Sequence, residues 1–378
     1  MKWKYIVTTL TGLEDVVKKE LENMGAQFLE KYRGRILIEG SLDFIARGNY
    51  LSRTAHRFYL VIHEGTANDL EDVYNVIFET PIEKVVRLGE RIAVRSEKTD
   101  GVSMKRPRMN EVGGAAVLKS YTEKTGGYLK VNLSSPDVEI HLYAIKDGRL
   151  MVAVNTTGES LHKRRYRRGY HPAPMRSTLA AAMIYISEWD PEKESLRDPM
   201  CGGGTIAIEA AMIGKRIPPG YFRFAKKEFP DLKIFPLERW KPIVEEANTR
   251  IKWDFQPKIW ASDINPKSLK SAKENASAAE VDNSITFELR DARKIHEASA
   301  ADVIVTNPPF GIRLGRKMEV PHLYADFLRS VAIAKTKRIV FTSPRKIRAI
   351  PPVFSLTQRF SFVYGRFVSH IFRLDRKP

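Results

Sequence analysis

The sequence predicts an α/β protein, with parallel strands of an open sheet in its second half and a smaller α+β region before it. Three observations carry this. Asp302–Thr306 is a short apolar run rich in β-branched residues and closed by Pro308 and Pro309. That is the pattern of a strand buried on both faces of a parallel sheet. Leu196–Asp198 leads into Gly202-Gly203-Gly204 and then the apolar stretch Ile206–Ile213, which reads as strand, tight turn and helix. Residues 4–63 pass through strand, helix, two strands, helix and strand, a compact α+β order of their own.

Taken in order, Lys4–Thr9 is a strand. Thr11-Gly12-Leu13-Glu14 has the form of a capping box and opens a helix. Leu13, Val17, Leu21 and Met24 share one face of that helix, and Gly25 closes it. Strands at Gln27–Lys31 and Arg35–Glu39 flank Arg33-Gly34. A helix at Leu42–Tyr50 and a strand at Arg57–His63 complete a β-α-β-β-α-β order, which suggests a ferredoxin-like unit. A second mixed stretch has a helix at Leu70–Phe78, a strand at Arg91–Arg95 and a helix at Glu111–Thr122. Strands at Tyr128–Asn132, Val138–Ala144 and Arg149–Asn155 end it, the last two joined by Asp147-Gly148. His56, His63 and His141 have no partner pattern and read as core or surface histidines.

The 378 residues are 43% hydrophobic and 29% charged, ordinary for a globular chain of two or more domains. No run approaches the roughly 18 apolar residues needed to cross a bilayer. MKWKYIVTTL lacks the apolar core of a secretory signal, so a cytoplasmic protein with no membrane partner is expected. Cys201 is the only cysteine, which excludes a disulfide framework and a cysteine-based zinc site. The formal charge of +18 points to a polyanionic partner, most often nucleic acid. Lys98, Lys105, Arg106 and Arg108 form a basic run broken by Pro107, either a solvated loop or a nucleic-acid contact. Between the halves, Lys163-Arg164-Arg165-Tyr166-Arg167-Arg168-Gly169-Tyr170-His171 interleaves cations with tyrosines. Such a run can track phosphates and stack bases; the bland alternative is an exposed linker kept soluble by charge.

In the second half Arg176–Ser187 is a helix. The glycine-rich corner after Asp198 lets backbone approach a ligand at a helix start. It has neither the Gly-Lys-Ser/Thr of a P-loop nor the dinucleotide spacing G-x-G-x-x-G. Ile259–Asp263 is the next core strand, ending in an acid able to bind ribose hydroxyls. Its bland alternative is a cap for the helix Pro266–Ala279, for which Asn265 competes. Ile285–Leu289 leads to Asp291-Ala292, an acid that can accept from an adenine amine. Asn307-Pro308-Pro309-Phe310 closes the series. Its prolines stiffen the loop, so that the Asn307 amide oxygen and the Pro308 carbonyl form an acceptor pair beside the flat face of Phe310. This suits a planar exocyclic amine, and the tetrapeptide itself leaves adenine N6, cytosine N4 and guanine N2 open. Asp198, Asp263, Asp291 and Asn307 fall at four successive strand ends and together argue for one built site.

Those motifs resemble the class I S-adenosylmethionine-dependent amino-methyltransferases. Leu161–Leu179, with Ala173-Pro174 ahead of its helix, resembles the hinge before the catalytic domain of THUMP-containing RNA methyltransferases. The insertion after Ala211, with Ile217-Pro218-Pro219-Gly220 and Trp240, is similar to their guanine-N2 branch, nearest to the archaeal tRNA guanine-N2-methyltransferases acting at position 6. The resemblance covers essentially the whole chain. It implies a Rossmann-like methyltransferase domain with a mostly parallel seven-stranded sheet, preceded by an α+β ferredoxin-like plus THUMP region. The implied domains are 1–65 (ferredoxin-like), 66–155 (THUMP) and 175–378 (catalytic), with 156–174 a basic linker.

The resemblance also implies S-adenosyl-L-methionine as cofactor. Ser177 and Thr178 would lie near its methionine carboxylate. Asp198, Cys201, Gly202, Gly203, Gly204 and Thr205 would cradle methionine and ribose, with Asp263 and Ile264 at the ribose and Asp291 and Ala292 at the adenine. Asn307, Pro308 and Phe310 would position the target base. The partner would be tRNA, met by Lys105, Arg106, Arg108, Lys163, Arg164, Arg165, Arg167 and Arg168. Gly203 stands where the family often carries Ser or Thr, a departure of one hydroxyl. The expected reaction is N2-methylation of guanosine in the acceptor stem. Its rivals are the same chemistry on ribosomal RNA or another tRNA position and, from another class, a non-catalytic RNA-binding protein. A monomer without metal is expected, and Cys201 is not expected to act as a nucleophile.

Overall fold

The computed structural model of the chain describes residues 1–169, 174–298, 300–310, 320–345, 347, 350–365 and 367–378; Tyr170, His171 and Ala173 of the basic stretch and its hinge lie outside them. Two compact units result, and they do not follow chain order. The first comprises Met1–Thr9, Lys18–Leu161 and Arg223–Glu246; the second comprises Leu10–Val17, His162–Phe222 and Ala247–Pro378. No helix among the described residues is long and apolar enough to cross a membrane.

The first unit is built on one eight-stranded sheet. Its strands are β1 (Trp3–Thr8), β2 (Gln27–Tyr32), β3 (Arg35–Gly40), β4 (Arg57–Thr66), β5 (Arg91–Lys98), β6 (Lys130–Val131), β7 (Val138–Ala144) and β8 (Arg149–Asn155), in the spatial order β2-β3-β1-β4-β8-β7-β5-β6. β4 is the joint. It pairs antiparallel with β1 (Tyr5 opposite Leu60) and with β8 (Leu60 opposite Val154). The ferredoxin-like stretch and the stretch after it therefore share one sheet, which the local patterns do not reveal. Asp69 caps the helix Leu70–Glu79 by accepting from the Asp72 amide. The helix expected at Glu111–Thr122 runs over Arg106–Thr125, with Pro107 in its first turn. Proline is tolerated there because a first-turn N–H has no intrahelical partner. The strand expected at Tyr128–Asn132 shrinks to Lys130–Val131, an exposed edge pair with a single neighbour, β5.

The segment Arg223–Glu246, expected within the catalytic domain, packs into this first unit. Trp240 is fully buried. Its indole stacks on Phe229 with ring centroids 4.7 Å apart, and Phe224 and Phe235 close the cluster. The buried Arg223 donates to the carbonyls of Thr157 and Glu159 at 3.0 and 2.8 Å.

The second unit holds a seven-stranded sheet of β9 (Leu196–Asp198), β10 (Ile259–Asp263), β11 (Ile285–Leu289), β12 (Val303–Thr306), β13 (Arg338–Ser343), β14 (Phe354–Tyr364) and β15 (Phe367–Arg376). The order is β11-β10-β9-β12-β13-β15-β14. The first five strands run parallel, and β15 is antiparallel to both β13 and β14. Helices α1 (Ser177–Ser187), α2 (Thr205–Gly214), α3 (Pro266–Ala278) and α4 (Val320–Ile333) belong to this unit. β9, β12 and β13 are buried along almost their whole length, as expected of parallel strands with two covered faces.

Candidate active site

The chain runs β9 to β10 to β11 in one direction across the sheet, then returns to lay β12 on the other side of β9. Strand order thus reverses between β9 and β12, where an open α/β sheet leaves a crevice at its carboxyl edge. The ends of β9, β10 and β12 carry Asp198, Asp263 and Asn307, and hydrogen bonds tie them laterally. Thr306 Oγ1 donates to Asp198 Oδ1 at 2.7 Å. The Gly202 amide donates to Asp263 Oδ2 at 2.9 Å.

The loop after β9 is shaped by two glycines in the left-handed region, Gly202 at φ 52° and Gly204 at φ 80°. A Cβ on Gly204 would also lie 3.0 Å from that of Ala272, so glycine is required there for conformation and for space. Gly204 precedes α2 without a side-chain cap, and α1 likewise starts at Arg176 without one. Neither helix start carries a capping side chain, and a helix N-terminus suits a carboxylate or another anionic group. Ser177 and Thr178 are buried on α1, and Ser177 Oγ lies 3.0 Å from the Tyr166 hydroxyl.

Asp263 does not cap α3. Asn265 does, accepting from the Lys267 amide at 2.9 Å, while Asp263 Oδ1 accepts from the Asn265 amide at 2.8 Å. Beside it Ile264 is 65% exposed, as is Leu289 at the end of the neighbouring β11. Exposed apolar side chains next to a strand-end acid fit the flat face of a base. Asp291 is bound by Arg293, whose guanidinium and amide both donate to it, and this holds its carboxyl below the usual range. Ala292 beside it is buried.

Asp198 is 1% exposed, and burial pushes its pKa up to about 7, partly offset by the bonds from Thr306 and the Met200 amide. Cys201 is buried and its thiol is pushed well up for the same reason, which favours its protonated form. Asn307 is half-buried, Pro308 buried and Phe310 half-buried. Asn307 Oδ1 accepts from the hydroxyl of the buried Thr342 at the end of β13, whose carbonyl in turn accepts from Tyr324 at 3.1 Å. Sequence reasoning missed Thr306 and Thr342. Their one signal is position, a hydroxyl at the last turns of two adjacent buried strands.

The basic residues divide. In the first unit Lys105, Arg106 and Arg108 are exposed at the start of the helix Arg106–Thr125. Arg106 lies 3.5 Å from Glu97, and Arg108 pairs with Glu111. In the second unit Lys163, Arg167 and Arg168 are exposed and Arg165 half-buried, while Arg164 is interior. Arg164 bonds Glu209 at 3.3 Å, with side chains 1% and 0% exposed. This corrects its expected role, because a buried, paired guanidinium cannot meet a phosphate. From His162 to Gly169 the expected linker is bonded into this unit: Tyr166 also reaches Glu209, Arg167 donates to the Met175 carbonyl, and Asn275 accepts from the Arg168 and Gly169 amides.

Comparison with known proteins agrees with this architecture. Residues 164–349 match the RMKL-like methyltransferase domain, residues 4–59 the RlmL ferredoxin-like domain and residues 67–154 the THUMP domain. A tRNA (guanine(6)-N2)-methyltransferase of Methanocaldococcus jannaschii is 36% identical over 98% of this chain and 99% of its own. One of Archaeoglobus fulgidus is 34% identical over 86% of this chain and 79% of its own. A solved structure from Clostridium difficile 630, described as a possible methylase, superposes with a TM-score of 0.85 at 26% identity, covering 100% of this chain and 99% of that one.

Proposed function

This chain belongs to the THUMP-containing methyltransferases with an RMKL-like catalytic domain, and we propose that it methylates N2 of guanosine at position 6 in the acceptor stem of tRNA. It is an S-adenosylmethionine-dependent methyltransferase. The substrate assignment rests above all on similarity along the full chain to a relative named for that reaction.

The site's residues suit the cofactor. Asp263 would take the ribose hydroxyls, Asp291 the adenine amine, Ile264 and Ala292 the faces of the base, and the loop Cys201–Thr205 with Asp198 the methionine end. When bound, S-adenosylmethionine supplies a methyl group activated by a positively charged sulfur. The chain's own work is orientation. Asn307 Oδ1, held by Thr342, and the Pro308 carbonyl would accept hydrogen bonds from the two N–H groups of the guanine amine, so that its nitrogen faces the methyl group, the one proton given up on methylation passing to solvent. Phe310 fixes the plane of the base. A base inside a stem is unreachable and has to leave the stack. Lys105, Arg106, Arg108, Lys163, Arg165, Arg167 and Arg168 supply phosphate contacts in the cytosol, where tRNA is met.

The experiment is methyl transfer from labelled cofactor to unmodified tRNA transcripts, followed by nucleoside mapping. N2-methylguanosine at position 6 is the expected product. Transfer to ribosomal RNA or another tRNA position would move the substrate and keep the chemistry. Cofactor binding without transfer to any RNA would favour a non-catalytic RNA-binding role.

Asp198 makes cofactor binding depend on pH. Its folded pKa lies above the unfolded value, so its contribution to stability is fully present below the ordinary carboxyl pKa of roughly 4 and is lost as pH rises through about 7. A cationic ligand favours the ionised form. Affinity for S-adenosylmethionine should therefore rise between pH 6 and 8, with proton release on binding below pH 7. Titration calorimetry in buffers of different ionisation enthalpy reads this directly, and Asp198→Asn should flatten both trends.

A further inference from the structure

Asn275 lies on α3 where packing alone would ask for an apolar side chain. It is 3% exposed, and Ser271, Ala272 and Ala276 beside it are also buried. A buried carboxamide needs partners at both ends, and Asn275 has them in two distant stretches of chain. Its Nδ2 donates to the Gly203 carbonyl at 2.9 Å. Its Oδ1 accepts from the Arg168 and Gly169 amides at 2.8 and 2.9 Å. Chemistry fixes the orientation of the group, since a flipped amide would set N–H against N–H and carbonyl against carbonyl. Both stretches press on the same helix. A Cβ on Gly169 would lie 2.7 Å from the Ser271 carbonyl oxygen, and one on Gly204 3.0 Å from the Ala272 Cβ.

The glycine-rich loop needs this support. The amides of Cys201, Gly202 and Gly204 bond the Ser262 carbonyl, Asp263 and the Cys201 carbonyl. Asn275 adds a tether on the carbonyl side, at the peptide between Gly203 and Gly204. Two glycines flank that peptide and bring no Cβ to restrain it, so its orientation rests on two bonds, the Gly204 amide to the Cys201 carbonyl and Asn275 to the Gly203 carbonyl.

We infer that Asn275 is a positioning residue with two separable duties: its Nδ2 sets the cofactor loop, and its Oδ1 sets the backbone that carries the exposed Arg167 and Arg168. The inference rests on the reading proposed above, that the loop meets cofactor and the basic segment meets RNA. Two substitutions separate the duties. Asn275→Asp keeps an oxygen for the Arg168 and Gly169 amides and removes the donor to Gly203. Asn275→Ala removes both.

The test measures KM for cofactor and for RNA, calorimetric binding of S-adenosylhomocysteine, and amide hydrogen exchange in the protein without ligands. Asn275→Asp should weaken both cofactor measures by about tenfold, the worth of one good hydrogen bond, with KM for RNA unchanged. Exchange should quicken in residues 199–205 and stay the same in 163–169. Asn275→Ala should raise both KM values and quicken both segments. Wild-type cofactor affinity in the Asp variant, or equal shifts in both KM values in both variants, overturns the inference, because a merely structural residue would behave that way. Should the Asp variant fail to fold, amide exchange in Asn275→Ala decides: quickening confined to residues 199–205 and 163–169 supports the two duties, and quickening spread through the unit, or absent from either segment, overturns them. Failure of the wild-type protein to bind S-adenosylhomocysteine would instead count against the proposed function, and the exchange pattern would still judge Asn275.

Discussion

Asn307→Ala should bind cofactor with wild-type affinity and lose about 10²- to 10³-fold in turnover, the range seen when one preorganised polar group at a reacting centre is removed. A guanine amine is a poor nucleophile because its lone pair is delocalised into the ring. Accepting its protons favours a pyramidal nitrogen as the new bond forms, and that geometry matters more in the transition state than in the ground state. The loss should therefore fall on kcat, with little change in KM for the cofactor. The structure adds a reason for precision at this position. Asn307 Oδ1 is already bonded by the buried Thr342 hydroxyl, so the amide cannot swing freely. Truncation also leaves that hydroxyl unpaired, which should lower stability by roughly 1–3 kcal/mol. Single-turnover methyl transfer, beside calorimetry for cofactor, separates the two effects. Unchanged turnover would remove Asn307 from the mechanism.

Glu209→Ala should destabilise the protein by about 3–5 kcal/mol, as breaking a buried ion pair from one side does. Glu209 is fully buried in the second unit and receives Arg164 Nε at 3.3 Å and the Tyr166 hydroxyl at 3.2 Å. Removing the carboxylate leaves a buried guanidinium charge without the Glu209 counter-charge. Burial also pushes the Tyr166 phenol well up, so it stays neutral and supplies no negative charge to compensate. Denaturant unfolding monitored on the second unit should show the midpoint falling sharply. Replacing Arg164 and Glu209 together by methionines should recover much of the loss, because two apolar groups of similar size leave no unpaired charge. If the single variant unfolds at the wild-type midpoint, the pair has no structural weight.

Arg164 shows where sequence reading stops. Within Lys163–Arg168 nothing local separates the one interior arginine from its exposed neighbours, because the difference is made by Glu209, 45 residues further on. Asn275 is of the same kind, an ordinary helical asparagine until Gly203 and Arg168 arrive beside it. The start of the helix at Arg106 was obscured by Pro107, whose tolerance depends on falling in the first turn. Trp240 lies between stretches of the second unit in sequence, yet it is buried in the first.

Local residue patterns place neither the helix Val320–Ile333 nor the last three strands, but they give the order and type of the elements as far as Val303–Thr306, the acids at the strand ends, the glycine loop and the Asn307–Phe310 corner. These follow from periodicity, β-branching and the fixed conformational habits of glycine and proline, all of which act within a few residues. Only the tertiary structure decided which strands share a sheet, that β4 joins two stretches, that Arg223–Glu246 leaves the unit surrounding it, and which polar side chains are interior. Those outcomes depend on pairing between residues far apart in the chain, where burial has to be matched by a partner and no local pattern specifies which one.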